Sequence, residues 1–340
     1  MDRLKPILAE VAAGNHLSSR TAETAFDILL SGDATPGQIG AFLMGLRVRG
    51  ETVDELTAGA KIMRRNALSV SAPDGAIDTC GTGGDGAGTY NISTATAFVV
   101  ASGGVPVAKH GNKALSSKSG SAEVLEKLGV RLDLTPEQIS ASIKTVGMGF
   151  MFAPAHHSAM KHVGPVRAEL AQRTIFNLLG PLSNPAGAKH QLLGVFDRAW
   201  LVPLAKTLHK LGSLSAWVVH GSDGLDELTT TGPSYVACLS NGEVSEFEVT
   251  PEDVGLARAA PEALVGGTPD ENAEALQDML TGTPSAYRDI VALNAGAAFV
   301  AAGRTASLQD GVDLAATLID SGQAREKLDA LVAFSQQADA

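Results

Sequence analysis

The sequence Gly81-Thr82-Gly83-Gly84-Asp85-Gly86, followed by Asn91-Ile92-Ser93-Thr94, precedes the apolar run of residues 95–101. Glycines adopt positive φ readily, so successive backbone N–H groups can face one anion. The apolar run predicts a buried helix, whose N-terminus adds N–H donors and a partial positive charge. Glycine-rich turns also occur simply where a strand joins a helix. Four glycines in six residues, followed by Asn-x-Ser-Thr, favour a phosphate at this loop.

This glycine loop also matches the pattern G-x-G-x-x-G of dinucleotide-binding folds, which place a ribose-binding acidic residue about 20 positions further on. Here no acidic residue occurs between Asp85 and Glu123, and no Gly-Lys-Ser/Thr of the Walker type follows. The sequence therefore argues against a dinucleotide site and against a Walker-type nucleotide site.

Short strand-like runs alternate with helical runs on the C-terminal side of the loop. Residues 105–108, 191–196 and 216–220 are typical of strands, and residues 121–128 and 200–211 are typical of helices. Such alternation indicates an α/β domain with a mainly parallel central sheet.

A hairpin and a helical C-terminal region complete this part of the chain. Asn241-Gly242 joins the alternating runs 235–240 and 243–249, which is the strongest short signal for a β-hairpin. Residues 271–303 and 310–334 have helical periodicity.

The first seventy residues contain helical patterns without a strand. Thr35 and Thr52 each begin a capping box, and Gly50 ends the helix between them. Four helices this short need a partner surface. Residues 69–76 are predicted to be a linker, so the expected fold is a small all-helical domain plus a large α/β domain.

Composition excludes several classes of protein. The chain has 340 residues, of which 44% are hydrophobic, and a formal net charge of −11 that disfavours broad binding to nucleic acids or anionic membranes. Two cysteines, Cys80 and Cys238, exclude a disulfide framework and a cysteine-based zinc cluster. The sequence shows no signal-peptide pattern, and its longest uncharged stretch, residues 86–108, is too polar for a membrane span. A cytoplasmic location is therefore expected.

Residues 109–121 contain three lysines, four serines and no carboxylate. Lysine charges and compact serine donors suit a phosphate, although most charge runs form solvated surface loops. This basic loop follows a predicted strand, where open α/β sheets bind ligands. Ser121 is predicted to cap the next helix and so to direct a second helix N-terminus at the site.

Asp226-Glu227 follows the strand 216–220. Mg²⁺ is usually held by one or two carboxylates plus substrate phosphates, so this acidic pair complements a phosphate pocket. By itself an Asp-Glu pair is weak evidence for a metal.

Three of the eight histidines lie within residues 152–167, but no zinc-ligand spacing accompanies them. Arg167 follows Pro165 in the first turn of a predicted helix, where a guanidinium can bind a carboxylate through two hydrogen bonds. A salt bridge to Glu169 or Asp223 is the alternative.

Together these motifs resemble the anthranilate phosphoribosyltransferase family over nearly the whole chain. The resemblance is carried by residues 38–43, 81–94, 109–121, Arg167, 173–185 and 220–227. Members of this family transfer the phosphoribosyl group of phosphoribosyl pyrophosphate (PRPP) to anthranilate in tryptophan biosynthesis, and their fold is related to that of pyrimidine nucleoside phosphorylases. The resemblance thus implies a pentosyltransferase with Mg²⁺ as cofactor, and no nucleic acid or membrane partner.

The resemblance also implies a domain organisation. Residues 1–70, with about 164–185 packing back onto them, would form a helical domain that joins two chains in a homodimer. Residues 71–163 and 186–340 would form the α/β domain that binds PRPP.

Residue by residue, the resemblance implies three sets of contacts. The contacts to PRPP are Gly81, Gly84, Asp85, Thr89, Asn91, Ile92, Ser93, Thr94, Lys109, His110, Gly111, Asn112, Lys113, Ala114, Leu115, Ser116, Ser117 and Ser121. The contacts to anthranilate are Gly81, His110, Asn112, His157 and Arg167. The metal ligands are Ser93, Asp226 and Glu227. No dedicated catalytic acid or base is expected.

Two residues depart from the family pattern: Lys113 replaces a frequent arginine and Ala171 a frequent glycine. Lys113 keeps the charge but loses the bidentate geometry. Two other functions remain as alternatives. A pyrimidine nucleoside phosphorylase is disfavoured by the acidic pair, and a phosphoribosyltransferase-like protein that binds nucleic acid is disfavoured by the net charge of −11.

Overall fold

The N-terminal part of the chain is a bundle of four helices. The structure, a computed structural model, describes residues 3–114 and 118–337. The bundle consists of α1 (Leu4–Ala12), α2 (Ser19–Ser31), α3 (Pro36–Arg49) and α4 (Val53–Arg65). Thr35 and Thr52 form the predicted capping boxes with Gln38 and Glu55, and Gly50 ends α3 as expected.

The α/β part is built on one seven-stranded sheet with the order β3-β2-β1-β4-β5-β6-β7. The strands from β1 to β5 pair in parallel, and the predicted hairpin at Asn241-Gly242 adds β6 and β7 in antiparallel orientation. The predicted fold class is therefore confirmed. The strands are β1 (Ile77–Gly81), β2 (Val107–Gly111), β3 (Met148–Phe152), β4 (His190–Gly194), β5 (Ser215–Gly221), β6 (Ser234–Ser240) and β7 (Glu243–Val249).

Eleven further α-helices are found in the described residues. They are α5 (Ile92–Ser102), α6 (Ser121–Lys127), α7 (Pro136–Thr145), α8 (Ala153–His156), α9 (Gly164–Leu170), α10 (Ile175–Leu182), α11 (Leu201–Lys210), α12 (Pro269–Leu280), α13 (Ala286–Ala301), α14 (Leu308–Asp320) and α15 (Gln323–Gln337). Within the described part of the chain, no helix has both the length and the apolar character that crossing a membrane requires.

The sheet order reverses between β1 and β4, which are neighbours although two strands separate them along the chain. The loops at the carboxyl ends of two such strands leave in opposite directions and open a crevice between them. The glycine loop follows β1, so the topology places it at this crevice.

One apolar core joins the helical bundle to the sheet. The ring of Phe26 packs edge-on against Phe42 at 5.6 Å and against Phe176 at 6.1 Å, measured between ring centroids. Because Phe176 lies on α10, the segment after residue 163 contacts the bundle. This observation is consistent with a discontinuous helical domain, although the domain boundaries themselves stay a prediction.

Three separate helices lie within residues 158–182. A 3-10 helix (Ser158–His162), α9 and α10 follow one another, and Ala171 ends α9 with φ of 48° and ψ of 30°. A left-handed conformation costs an L-residue about 1–2 kcal/mol, so this position favours the glycine that Ala171 replaces.

We expect Ala171→Gly to raise the free energy of unfolding by about 0.5–1 kcal/mol, because the strain exceeds the extra entropy of an unfolded glycine. Urea unfolding measures the change. The matched control is Ala168→Gly inside α9, which should lower the free energy of unfolding by about 1 kcal/mol. Equal destabilisation by both variants would show that position 171 is not strained.

Candidate active site

Three stretches singled out in the sequence meet at the carboxyl edge of the sheet. The Gly83 N–H of the glycine loop donates a hydrogen bond to Asp226 Oδ2 at 2.7 Å. Lys109, near the end of β2, donates to Ser93 Oγ at 3.4 Å and to the Thr79 carbonyl on β1. The glycine loop, β2 and the acidic pair therefore form one site.

Asp226 packs so closely against β1 and β4 that both strands must end in glycine. A Cβ on Gly194 would overlap the Asp226 carbonyl oxygen. A Cβ on Gly81 would overlap Asp226 Oδ2. The two glycines thus allow the turn after β5 to place its carboxylates directly against the glycine loop.

The acidic pair is buried and its charge is only partly compensated. Burial, with Asp85 nearby, raises the pKa of Asp226 to about 7. Burial and the Asp226 carboxyl raise the pKa of Glu227 well above its ordinary value, while the Lys109 ammonium opposes this shift. The raised pKa values show that the acidic pair lacks enough positive charge nearby to stay fully ionised, and a divalent cation would supply that charge.

The protein side chains at this site supply only part of a Mg²⁺ coordination shell. Asp226 and Glu227 offer carboxylate oxygens, and Glu227 also interacts with the backbone of Ser93. Over residues 3–114 and 118–337, no group of three or more His, Cys, Asp or Glu side chains is arranged to hold a metal. Magnesium sites often use one or two carboxylates and complete the shell with substrate phosphates and water, and these residues fit that type.

A buried polar network, which the sequence analysis missed, positions Lys109 and His110. Asp78 on β1 accepts hydrogen bonds from Asn184 Nδ2 at 2.7 Å and from the His110 N–H at 3.0 Å. Asn184 Nδ2 also donates to the Ala108 carbonyl at 2.9 Å. A charged residue inside a short apolar strand was the available signal, because such a residue must find partners when buried.

Two histidines lie side by side next to this network. The rings of His110 and His157 have centroids 5.2 Å apart, and both Nε2 atoms are buried without a hydrogen-bond partner among the described residues. Burial lowers the pKa of His110 to about 3 and that of His157 to about 4. Both rings are therefore neutral near pH 7 and keep one nitrogen each for a ligand.

Arg167 lies on α9 with its guanidinium 5.4 Å from the centroid of the Phe176 ring. Burial lowers its pKa. Within the part of the chain that the structure describes, it forms no ion pair with Glu169 or Asp223, so the salt-bridge alternative is wrong. Asp223 instead accepts hydrogen bonds from the hydroxyls of Thr229 and Thr231, each at 2.6 Å.

The basic loop is described over residues 109–114 and 118–121, and its end differs from the prediction. Ser121 does not cap α6; it is the first helical residue, and Glu123 Oε2 accepts from the Gly120 N–H at 2.8 Å. Glycine suits the cap position because a Cβ there would overlap Ala114 N. Lys113 Nζ lies 3.5 Å from Glu126 on the surface. Leu115, Ser116 and Ser117 lie outside the described residues.

The other predicted contacts lie on the second half of the glycine loop and the start of α5. Thr89 forms an isolated β-bridge with Val265. Asn91 precedes α5, and its Oδ1 accepts from Asn272 Nδ2 at 2.9 Å. Ile92 and Thr94 are buried in the first turn of the helix.

The neutral histidines give a pH dependence that can be measured. The pKa of His157 is lower in the folded chain, about 4, than its ordinary 6.5, so the unfolded chain binds more protons at pH 5. The contribution of neutral His157 to the free energy of unfolding is therefore fully present above pH 6.5. It is lost as the pH falls toward 4. At pH 5 this loss is about 2 kcal/mol.

We therefore expect His157→Gln to lose about 2 kcal/mol less stability between pH 7 and pH 5 than the unsubstituted chain. Chemical unfolding of both proteins at both pH values gives this difference. Asp226 contributes with the opposite sign, but equally in both proteins, so its contribution cancels. His16→Gln, on the exposed surface of the bundle, serves as the control. An identical pH dependence in all three proteins would contradict the assignment.

Both parts of the chain match a family model. Residues 5–67 match the helical bundle domain of a glycosyl transferase family, and residues 73–325 match the a/b domain of the same description. Fold and site thus define a glycosyl transferase.

The chain is 60% identical over 336 residues to the anthranilate phosphoribosyltransferase of Azorhizobium caulinodans, covering 99% of this chain and 98% of the relative. It is 61% identical over 333 residues to the protein of that name from Parvibaculum lavamentivorans, covering 98% of each chain. The chain belongs to the anthranilate phosphoribosyltransferase family.

Solved structures agree with this family. The anthranilate phosphoribosyltransferase of Thermus thermophilus superposes with a TM-score of 0.93 at 45% identity, covering 99% of this chain and 100% of the other. The enzyme of Saccharomyces cerevisiae, solved in complex with PRPP and Mg, superposes with a TM-score of 0.89 at 27% identity, covering 98% of each chain.

Proposed function

We propose that this chain transfers the phosphoribosyl group of PRPP to the amine of anthranilate, giving N-(5-phosphoribosyl)anthranilate and pyrophosphate in tryptophan biosynthesis. Relatives of this name are about 60% identical over nearly the whole chain. The observation that carries the proposal is the convergence of the glycine loop, Lys109 and the acidic pair at one edge of the sheet. A pyrimidine nucleoside phosphorylase and a nucleic-acid-binding protein are not favoured.

The glycine loop, the start of α5 and the basic loop bind PRPP in this proposal. Backbone N–H groups and the α5 N-terminus donate to the diphosphate. The Lys109 ammonium, which donates to the Thr79 carbonyl and is attracted by the buried Asp78 carboxyl, offsets negative charge as the diphosphate leaves. The position of these residues at one edge of the sheet supports the PRPP contacts that the family resemblance implies.

Mg²⁺ is proposed as the cofactor, with Asp226, Glu227 and Ser93 as its protein ligands. The yeast structure with PRPP and Mg supports this choice, as does the excess of carboxylates over cations at the acidic pair. A Mg²⁺ ion bound there supplies charge neutralisation to the leaving diphosphate.

Arg167, Asn112 and the His110–His157 pair are proposed to hold anthranilate. The Arg167 guanidinium binds the carboxylate, and the neutral imidazoles offer one nitrogen each without repelling the aromatic amine. The amine attacks C1 of the ribose as the bond from C1 to the diphosphate breaks. Once bonded to carbon the nitrogen is strongly acidic, so its proton leaves without a dedicated base.

We further propose that the helical domain, residues 1–70 with about 164–185, joins two chains in a homodimer. An apolar stripe on α3 supports this surface, since Ala41, Met44 and Val48 follow one helical face and Val48 is 83% exposed. Residues 71–163 and 186–340 then form the PRPP-binding domain. A cytoplasmic location stays a prediction of the sequence.

The proposal is tested by fluorescence detection of phosphoribosylanthranilate from PRPP and anthranilate, with and without Mg²⁺. The expected result is product formation that requires all three components. Phosphorolysis of thymidine serves as the comparison reaction. Thymidine cleavage without phosphoribosylanthranilate formation would favour the phosphorylase alternative and contradict the proposal.

A further inference from the structure

Arg173, which has no role in the site described so far, contacts the glycine loop. It lies in the short connection between α9 and α10, and its side chain is exposed. Its guanidinium donates a hydrogen bond to the Gly84 carbonyl. The guanidinium carbon also lies 4.2 Å from the centroid of the Phe196 ring, so the group is held between an aromatic face and a peptide.

This contact fixes a peptide that carries a donor of the glycine loop. The peptide between Gly84 and Asp85 is trans, so its N–H points opposite to its carbonyl. Because the carbonyl points toward Arg173, the Asp85 N–H points away from it. Gly84 has φ of 75°, a conformation that glycine adopts more readily than other residues.

The other attachments of the loop show what Arg173 adds. On one side, Asp226 accepts from the Gly83 N–H at 2.7 Å. At the base of the loop, Thr82 Oγ1 accepts from the Phe196 N–H at 3.0 Å. Arg173 contacts the tip of the loop at Gly84 and stacks on the Phe196 ring. The backbone of the same Phe196 contacts the base of the loop at Thr82.

Arg173 also lies six residues after Arg167, on the segment that ends α9 and enters the bundle core through Phe176. Arg167 rests on Phe176 and Arg173 on Phe196, so one short segment contacts both the proposed anthranilate site and the glycine loop.

We propose that Arg173 is a positioning residue for the diphosphate: it orients the Gly84–Asp85 peptide so that the Asp85 N–H faces the diphosphate of PRPP. The inference rests on the proposed function for the identity of PRPP. The chemistry it requires is only a diphosphate at the glycine loop.

Calorimetric titration with pyrophosphate and Mg²⁺ tests this role without turnover. Arg173→Ala is expected to raise the dissociation constant about 10- to 100-fold, the range for loss of a charge-assisted hydrogen bond. In the turnover assay KM for PRPP should rise similarly, while kcat changes much less. Arg198→Ala is the matched control, because the Arg198 guanidinium also stacks on an aromatic ring, 3.5 Å from the centroid of Tyr235.

Guanidinium chloride at millimolar concentration should partly restore pyrophosphate binding to Arg173→Ala, compared with sodium chloride at equal ionic strength. Arg173→Lys should bind with an intermediate dissociation constant, since it keeps the charge but not the planar group. An unchanged dissociation constant, or a rise that guanidinium does not reverse, would overturn the inference. If the unsubstituted chain binds pyrophosphate but forms no phosphoribosylanthranilate, the proposed function fails while the titration still tests Arg173.

Discussion

Replacing Asp226 by asparagine and Glu227 by glutamine together is expected to lower kcat/KM for PRPP by about three orders of magnitude. The substitutions keep the shape of both side chains but remove the two charges that hold Mg²⁺ in the proposed site. Steady-state rates over a range of PRPP and Mg²⁺ concentrations give the effect. High Mg²⁺ should restore little of the lost rate.

The same double variant should unfold at a higher temperature than the unsubstituted chain when neither has a ligand. Burial and mutual repulsion raise the pKa of both carboxyls, so the charged forms destabilise the free protein. Loss of activity with retained or increased thermal stability separates a functional role from misfolding. The control variant replaces Glu246 and Glu248, both exposed on β7, by glutamine and changes the net charge equally. Activity retained by the double variant would refute the metal assignment.

Arg167→Ala is expected to raise KM for anthranilate by roughly 30- to 1000-fold, equivalent to about 2–4 kcal/mol for a bound carboxylate that loses its partner. The guanidinium is partly buried on the Phe176 ring, where little water is available to replace it. KM for PRPP should change much less. Initial rates at saturating PRPP and varied anthranilate measure the effect.

Arg167→Lys provides the matched control, because lysine keeps the charge and loses the two parallel hydrogen bonds. Its KM for anthranilate should lie between those of the unsubstituted chain and Arg167→Ala. If Arg167→Ala binds anthranilate with unchanged KM, the carboxylate partner must be sought elsewhere.

Local signals predicted those parts of the fold that depend on local chemistry. The capping boxes at Thr35 and Thr52, the end of α3 at Gly50 and the hairpin turn at Asn241-Gly242 all formed as expected. Each depends on residues within a few positions of one another, so the sequence contains the complete interaction.

Two strands of the sheet were missed because their stability comes from distant residues. β1 contains Asp78 and Thr79, which look unsuited to a central strand, yet both are completely buried. Asp78 is accommodated because distant residues donate to it: Asn184, 106 positions away, and the His110 N–H, 32 positions away. β3 is a short run, Met148–Phe152, whose pairing with β2 cannot be derived from its own residues.

The sequence predicts those parts of the site whose motifs contain distinctive residues. The glycine loop, Lys109 and the acidic pair have residues suited to phosphate and cation chemistry, and the fold brings them together. Arg173 lies within residues 173–185, which carry the family resemblance, but no local pattern predicts its contact with the glycine loop. That contact joins residues 89 positions apart in the sequence. The predicted Ser121 cap failed because the adjacent glycine fits closer to the backbone of Ala114.

The most direct test of the proposed site is a crystal structure of this protein with PRPP, Mg²⁺ and anthranilate bound. We predict electron density for the diphosphate between the glycine loop and Lys109, with the metal against Asp226 and Glu227 and the anthranilate carboxylate on Arg167. Density for the diphosphate at a different face of the sheet, away from the acidic pair, would contradict the convergence of these three stretches on one ligand.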